Sequence, residues 1–166
     1  MLMAAAGGYI SWKHFSQPAD SEAVGDGLSD KSETQTVNLF YYNKAKDTDA
    51  AGQIRCSPDS VLPVERQISG KQLIAGTISL LLKGDIRESE KDAGFETEFP
   101  HPDFRLKDVA LDKGTGQLTL SFTSVPGFTT GGSCRTGLLY AQIAKTALQF
   151  DGVREVALRP EFLFQP

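Results

Sequence analysis

The sequence lacks long apolar runs. A membrane-spanning helix needs about twenty consecutive apolar residues. Residues 1–12 (MLMAAAGGYISW) are apolar and uncharged, but they are too few to span a bilayer. A multi-span membrane protein is therefore excluded. The chain has 166 residues, 40% of them hydrophobic, which suffices for one domain with a real core and excludes a multi-domain enzyme.

Positive charge is scarce and scattered along the chain. Seventeen basic residues stand against 21 acidic ones, which gives a net charge of −4. The densest basic spots, Lys44 with Lys46 and Arg105 with Lys107, lie beside aspartates. Nucleic-acid binding requires concentrated Lys and Arg to displace phosphate counterions. We therefore expect no nucleic-acid partner.

Residue types that bind metals or carry catalysis are also few. The chain has two histidines, His14 and His101, and two cysteines, whereas structural zinc needs four ligands of these types. The sequence contains no Gly-x-Ser-x-Gly elbow and no paired-carboxylate motif. We predict no metal site, no cofactor and no enzymatic activity.

The two cysteines, Cys56 and Cys134, are far apart in the sequence, and their pairing depends on the compartment. An even cysteine count in an exported chain favours a disulfide, and this one would close a long loop. One alternative is catalysis by Cys134 at a helix N-terminus, where the thiol pKa falls. The other is a pair of unpaired thiols in a cytoplasmic chain.

The first 35 residues of the chain divide by composition. Residues 1–15 are predicted to be a partial membrane anchor that begins upstream, or a signal-like segment with Ala4 and Ala6 at a cleavage site. A slightly apolar tail is the third interpretation. Residues 16–35 are rich in Ser, Asp, Glu and Gly and predict a flexible acidic linker. The compact domain is expected to cover residues 36–166.

Hydrophobic periodicity predicts four strands and two helices in that domain. The strands are residues 37–42, 104–111, 117–123 and 153–158, and the helices are residues 70–83 and about 134–150. Residues 62–68 are expected to form a short extended piece. The second and third strands form a hairpin. The order β-α-β-β-α-β predicts an α+β fold with a mixed β-sheet and both helices packed on one face.

Five residues are candidates for contact with a ligand or partner. Gly131, Gly132 and Ser133 precede the second helix, and Arg135 lies beside them, so an anion is able to meet backbone N–H groups there. The alternative is structural, because Gly-Gly allows a tight turn and Ser133 is an expected N-cap. Arg66 is the fifth candidate, and it either pairs on the surface with Glu65 or anchors a loop.

Aromatic residues also lie outside the predicted elements. Phe128 lies in a Gly- and Thr-rich loop, where we expect it to be exposed. Phe162, Leu163 and Phe164 follow Pro160. This tail either folds back onto the core or forms an apolar contact surface.

Several segments, in order and spacing, carry a family resemblance. They are VNLFYY, VLPVERQI with Val64 and Arg66, LLKG, ESEKDAGFETEFP with Glu90, and GGSCRTGLLYAQIAKTALQFDGVREVAL with Gln142 and Thr146. Over about residues 36–158 the chain resembles the GerMN domain family, named for sporulation and spore-germination proteins. It departs from the family pattern at Ser121-Phe122-Thr123, where an acidic position is absent, and at Arg159-Pro160-Glu161.

The resemblance implies a non-enzymatic, extracytoplasmic domain tethered to the cell envelope by its N-terminal segment. Relatives look similar to ring-building modules of envelope assemblies, and some lie on lipoproteins. The two cysteines look like those of a subset of the family that has both. We therefore expect an interaction module with protein partners or self-association. The alternative is an envelope domain that binds a small ligand or a glycan.

Overall fold

The computed structural model describes residues 34–164, and the predictions for residues 1–33 lie outside that range. The helices are α1 (Lys44–Asp47), α2 (Leu73–Leu81), α3 (Glu88–Asp92) and α4 (Ser133–Leu148). The strands are β1 (Thr34–Asn43), β2 (Val61–Ser69), β3 (Phe95–Glu96), β4 (Leu106–Asp112), β5 (Gln117–Phe122) and β6 (Glu155–Arg159). A 3₁₀ turn, Pro58–Ser60, precedes β2. The α+β class is confirmed.

The first sheet is antiparallel, with strand order β2-β1-β3. β1 alternates as predicted, because Val37, Leu39 and Tyr41 are all buried. The extended piece expected at 62–68 is the nine-residue strand β2. Pro63 lies within β2, and β2 pairs with β1 alone, so the missing N–H of Pro63 falls on an edge strand.

The second sheet is mixed, with strand order β4-β5-β6. β4 and β5 form the predicted hairpin, and β6 runs parallel to β5. Leu118, Leu120 and Phe122 of β5 are buried in the core. The predicted strands thus divide between two three-stranded sheets, whereas the sequence indicated one mixed sheet.

Helix α4 explains this division, because its side chains cover the edge of β1 that β3 leaves unpaired. The Gln149 amide, just after α4, accepts from Asn38 N at 2.8 Å and donates to Asn38 O at 2.7 Å. Thr146 Oγ1 accepts from Phe40 N at 3.0 Å. Two side chains therefore satisfy backbone groups that another strand would otherwise pair with.

Both long helices begin at a different residue from the predicted one. α2 starts at Leu73, since Gly70 has a φ of +127°, outside helical conformation. The N-cap of α4 is Gly132, with extended backbone, so the assignment of Ser133 as N-cap was wrong. Ser133 is instead the first helical residue. After α2, a Cβ on Gly84 would lie 1.9 Å from Phe99 O, so only glycine fits there.

The core is rich in aromatic residues that come from loops as well as strands. Phe128 is 6% exposed, and the expectation of an exposed Phe128 was wrong. Its ring packs against Phe99 and Phe104. The C-terminal tail folds back, since Leu163 and Phe164 are buried, while Phe162 remains 55% exposed. Contacts between aromatic side chains from distant segments therefore bury residues that the local composition had assigned to loops.

Candidate functional site

Cys56 and Cys134 are joined in a disulfide, with their Cα atoms 5.2 Å apart, which confirms the predicted pairing. Cys56 lies in the loop that follows α1, and Cys134 lies in the first turn of α4. The bond closes a sequence separation of 78 residues. Because both cysteines of the chain are used, no thiol is available as a nucleophile in this oxidised state.

A buried carboxylate organises the loop that carries Cys56. Asp47 Oδ2 accepts from the Tyr42 hydroxyl at 2.8 Å and from Cys56 N at 2.9 Å. Asp47 Oδ1 accepts from Ser57 N at 2.9 Å and from Ser60 Oγ at 3.1 Å. We call these five residues the Asp47 cluster. It holds the backbone at Cys56 and Ser57 in place.

The charge of Asp47 is stabilised by neutral donors. Burial by itself would raise the pKa of this carboxyl, but the hydrogen bonds from Ser57, Tyr42, Ser60 and Cys56 outweigh burial and hold the pKa below its usual value. Asp47 therefore remains ionised at neutral pH.

The rest of this loop presents an apolar side chain to solvent. The Asp49 carboxylate accepts from Ala51 N at 2.9 Å and from Gln53 N at 2.8 Å, which forms a compact turn. A β-bridge between Thr48 and Ile54 closes the turn. Ile54 is 40% exposed, which places it among the exposed large hydrophobic residues of the described chain.

An open groove of about 610 Å³ lies beside the disulfide, and we call it the disulfide groove. Tyr42, Leu138 and Leu139 contribute its apolar, buried surface. The remaining lining residues come from the start of α1, the Ile54 loop, β3 and the segment after it, and α4 with its N-cap: Lys44, Ile54, Glu96, Thr97, Glu98, Gly132, Cys134, Arg135 and Gln142. An apolar floor with a charged rim is typical of a binding site.

The structure brings two of the five predicted contact residues, Gly132 and Arg135, to this groove. The Arg135 guanidinium pairs with Glu98 and donates to Phe128 O at 2.8 Å and Thr130 O at 2.6 Å. These bonds use four of the five guanidinium N–H donors within the protein, so Arg135 shapes the groove wall. Gly131 and Ser133 are exposed neighbours in sequence but do not line the groove.

Arg66 lies away from the groove in an ion pair with Glu90. Its two terminal nitrogens each lie 2.7 Å from one Glu90 carboxylate oxygen. Arg66 also donates to Asp85 O at 2.8 Å, which anchors the loop between α2 and α3. The loop-anchor interpretation is therefore confirmed, and the surface pair with Glu65 was wrong, because Arg66 meets only the Glu65 carbonyl.

The Arg66–Glu90 pair shifts the pKa of both groups. The hydrogen bond from Arg66 is the main cause that lowers the pKa of Glu90, and the same bond raises the pKa of Arg66. The side chains are 8% and 15% exposed, so the pair is largely removed from water. Arg66 acts on the fold rather than on the groove.

Sequence reasoning missed Asp47 and Gln142 as site residues. Asp47 belonged to a stretch that its polar composition marked as an open loop, and no local signal distinguished it. Gln142 Oε1 accepts from Thr97 Oγ1 at 2.8 Å, which joins α4 to the segment after β3 across the groove. A signal existed for Gln142, because it lies in the longest segment that carries the family resemblance.

Residues 34–164 contain neither a cluster of metal-ligating side chains nor a helix fit to span a membrane. Within residues 34–164, no three Asp, Glu, His or Cys side chains are grouped closely enough to hold a metal ion. Over the same range, no helix combines the length and apolar character that crossing a membrane requires.

Comparisons with known proteins extend the geometric description. The model of the family described as sporulation and spore germination matches residues 38–161. The solved tandem GerMN domains of the sporulation protein GerM from Bacillus subtilis match with a TM-score of 0.50 and 20% identity, covering 80% of this chain and 41% of that chain. The first GerMN domain of the same protein gives a TM-score of 0.46 and 16% identity, covering 75% of this chain and 81% of that chain. Curated protein sequences give no match.

These comparisons differ in what they establish. The chain spans less than half the length of the tandem-domain structure, and at 20% identity that likeness concerns the fold. The family model covers well over half of the chain. The chain therefore belongs to the Germane family of sporulation and spore germination domains, as the sequence resemblance implied.

Proposed function

We propose that this domain is a non-enzymatic, extracytoplasmic interaction module, tethered to the cell envelope by its N-terminal segment and part of an envelope assembly. Its partner is a protein segment that inserts one large apolar side chain into the disulfide groove. The observation that carries the proposal is the groove itself, with its apolar floor and a rim that bears both signs of charge.

The chemistry of the groove supports a peptide as the occupant. Tyr42 and Leu138 form an apolar floor, and Ile54 extends that surface into solvent. At the rim, Lys44 and Glu96 make no ion pair with another residue between 34 and 164. A partner segment with an apolar residue flanked by opposite charges complements all three features.

The disulfide supports the proposed compartment. Disulfides persist in oxidising environments and are rare in the cytosol. The Asp47 cluster and the disulfide together hold the Ile54 loop against α4. The groove wall is therefore pre-organised, which lowers the entropic cost of binding.

A peptide library tests the proposed partner. The full oxidised chain is panned against random 12-residue peptides displayed on phage, and enriched peptides are synthesised for fluorescence-anisotropy titration. We expect Ile54→Lys to weaken the enriched peptides at least tenfold. The matched control is Phe162→Lys, which places the same charge on another exposed apolar residue away from the groove and leaves the affinity unchanged.

The same titrations also test the alternative that the groove binds a glycan. Peptidoglycan fragments replace the peptides in parallel titrations with the same variants. Binding of these fragments that depends on Ile54, with no enriched peptide, overturns the peptide proposal in favour of a glycan site. If Ile54→Lys and Phe162→Lys change the affinity equally, the disulfide groove is not the binding site and the proposal is wrong.

A reporter fusion tests the compartment independently of binding. Alkaline phosphatase, which is active only outside the bacterial cytoplasm, is fused to the C-terminus of the full chain. We expect an active fusion, and an inactive one when residues 1–15 are deleted. An inactive full-length fusion, with Cys56 and Cys134 reactive toward maleimide in cells, contradicts export.

A further inference from the structure

The free edge of β4 lies along an open groove. In the second sheet β4 pairs with β5 alone, so one of its edges has no neighbouring strand. A groove of about 680 Å³ separates β4 from α2, and we call it the β4 groove. Residues 106–109 line one wall, and residues 71–75 with Ser79 line the other. Successive side chains of a strand point to opposite faces, so four consecutive lining residues place this groove along the backbone edge of β4.

The hydrogen-bond pattern shows which backbone groups of β4 face the free edge. Arg105 O, just before β4, and Asp112 O, at its end, both accept from backbone N–H groups that flank β5. A β-bulge near the start of β4 adds one residue between these two positions. Alternate residues of an antiparallel strand turn their N–H and C=O away from the partner strand. Leu106, Val109 and Leu111 therefore direct their backbone groups to the free edge.

The domain leaves these backbone groups without a partner of its own. Between residues 34 and 164, no loop backbone and no side chain bonds to the N–H or C=O of Leu106, Val109 or Leu111. The open edge of β1 differs, because the side chains of Thr146 and Gln149 bond to its backbone. An uncovered strand edge beside a groove is the arrangement that accepts an extended segment of another chain.

The side chains of the β4 groove indicate the kind of segment that fits. Lys71 and Lys107 are exposed and make no ion pair with another residue between 34 and 164. Against these two lysines the lining contains one acidic residue, Asp108, so the groove carries a net positive charge. Leu73 and Ile74, both half-buried, supply apolar surface. A segment with an acidic and an apolar side chain complements this lining.

We propose that the β4 groove binds an extended protein segment that carries an acidic side chain and adds to the second sheet beside β4. The main chain of this segment bonds to the outward N–H and C=O groups of Leu106 and Val109. Its carboxylate pairs with the two lysines of the groove, and its apolar side chain packs on α2. The β4 groove shares no lining residue with the disulfide groove, so this proposal does not depend on the function proposed above.

Phage display on a chain with an altered disulfide groove tests the proposal. The full oxidised chain with Ile54→Lys is panned against random 12-residue peptides, and enriched peptides are titrated by fluorescence anisotropy. We expect acidic peptides, and we expect a further Lys107→Glu change to weaken them at least fivefold. The matched control is Lys113→Glu, which makes the same charge change in the turn of the same hairpin, outside the β4 groove, and leaves the affinity unchanged.

Backbone variants test the strand pairing itself. Val109→Pro removes an N–H that faces the free edge and no bond to β5, so we expect peptide binding to be lost while the chain stays folded. Val109→Ala is the matched control, because it shortens the side chain, keeps the N–H and is expected to bind the peptides. Ala110→Pro removes an N–H on the β5 side and is expected to lower the melting temperature. Equal binding by Val109→Pro and Val109→Ala overturns the proposal.

N-methylation of the peptide keeps the test decisive if Val109→Pro fails to fold. One N-methyl group is moved along an enriched peptide a residue at a time, and each version is titrated against the Ile54→Lys chain. A strand pairs with its neighbour through every second N–H, so we expect the affinity to fall at alternate positions. Loss without alternation, an affinity that Lys107→Glu leaves unchanged, or panning that enriches no peptide overturns the proposal. Each of these results leaves the proposal for the disulfide groove as it stands.

Discussion

Asp47 and Glu90 are both largely buried carboxylates with a lowered pKa, but the protein holds them by different means. Asp47 receives two backbone N–H groups and two hydroxyls, and a disulfide closes the same loop. Glu90 receives the Arg66 guanidinium and one backbone N–H, from Arg87. One loop is secured by neutral donors and a covalent bond, the other by an opposite charge.

The two loops are therefore held by different means, and they lie in different parts of the fold. The Asp47 cluster includes Tyr42, which lines the disulfide groove, so its rigidity bears on the binding that we propose there. The Arg66–Glu90 pair ties the segment between α2 and β3 to β2 and lies away from the groove. Losing either is expected to destabilise the domain, but only the first is expected to change the groove.

Removal of the disulfide has the largest expected effect. In Cys56→Ala/Cys134→Ala the free energy of unfolding is expected to fall by about 4 kcal/mol, because the unfolded chain loses a long covalent loop. Urea denaturation of the oxidised wild type and the double variant measures the change. Dithiothreitol is expected to destabilise the wild type and not the double variant. Equal stability of the two proteins would mean that the Asp47 cluster alone holds the loop.

Asp47→Asn is expected to cost about 3 kcal/mol, because in either orientation the amide nitrogen meets a backbone N–H, of Cys56 or of Ser57, and the charge-assisted bonds are lost. Denaturation in the wild-type and in the cysteine-free background gives the coupling between carboxylate and disulfide. We expect the two losses to be non-additive, because both act on the loop around Cys56. Simple additivity would show that the two restraints are independent.

Arg66→Met is expected to cost about 2 kcal/mol, because Glu90 keeps its charge without its partner. Arg66→Met/Glu90→Met is expected to recover most of that loss, since no unpaired charge remains. The control is Lys91→Met, which breaks the exposed pair with Glu88 and is expected to change stability by less than about 0.5 kcal/mol. A double variant less stable than Arg66→Met would contradict this account of the pair.

The smallest expected effect is a gradual loss of folding stability at acid pH. The folded-state pKa values of Asp47 and Glu90 are lowered, so each contributes stability above its unfolded pKa of about 4 and loses it as pH falls further. Thermal melts below pH 4 are expected to show falling stability. Arg66→Met is expected to reduce only the contribution of Glu90 to the dependence of stability on pH. Asp47→Asn is expected to remove the contribution of Asp47. A profile that neither variant changes would assign acid sensitivity to other groups.

Local patterns predicted much of the regular structure. The alternation of Val37, Leu39 and Tyr41 predicted β1, and the 3.6-residue period predicted α4 within two residues of each end. The even cysteine count predicted the disulfide. These features depend on neighbours in sequence or on simple chemistry, so the amino-acid order contains them.

Other features depended on partners distant in sequence. Arg66 finds Glu90 24 residues away, and Gln149 covers the edge of β1 from a separation of 111 residues. Of the contact residues proposed from sequence, Gly132 and Arg135 reach the disulfide groove, and four of the five Arg135 N–H donors are already used by Glu98 and two carbonyls.

By itself the sequence determined the fold class, the principal strands and helices, the cysteine pairing and the family, because periodicity, residue type and segment order are local properties. Only the tertiary structure decided that the strands form two sheets, that Asp47 is buried, and that a groove opens beside Cys134. A buried polar group must find its hydrogen-bond partners wherever the packed chain brings them, and no local pattern records where that is.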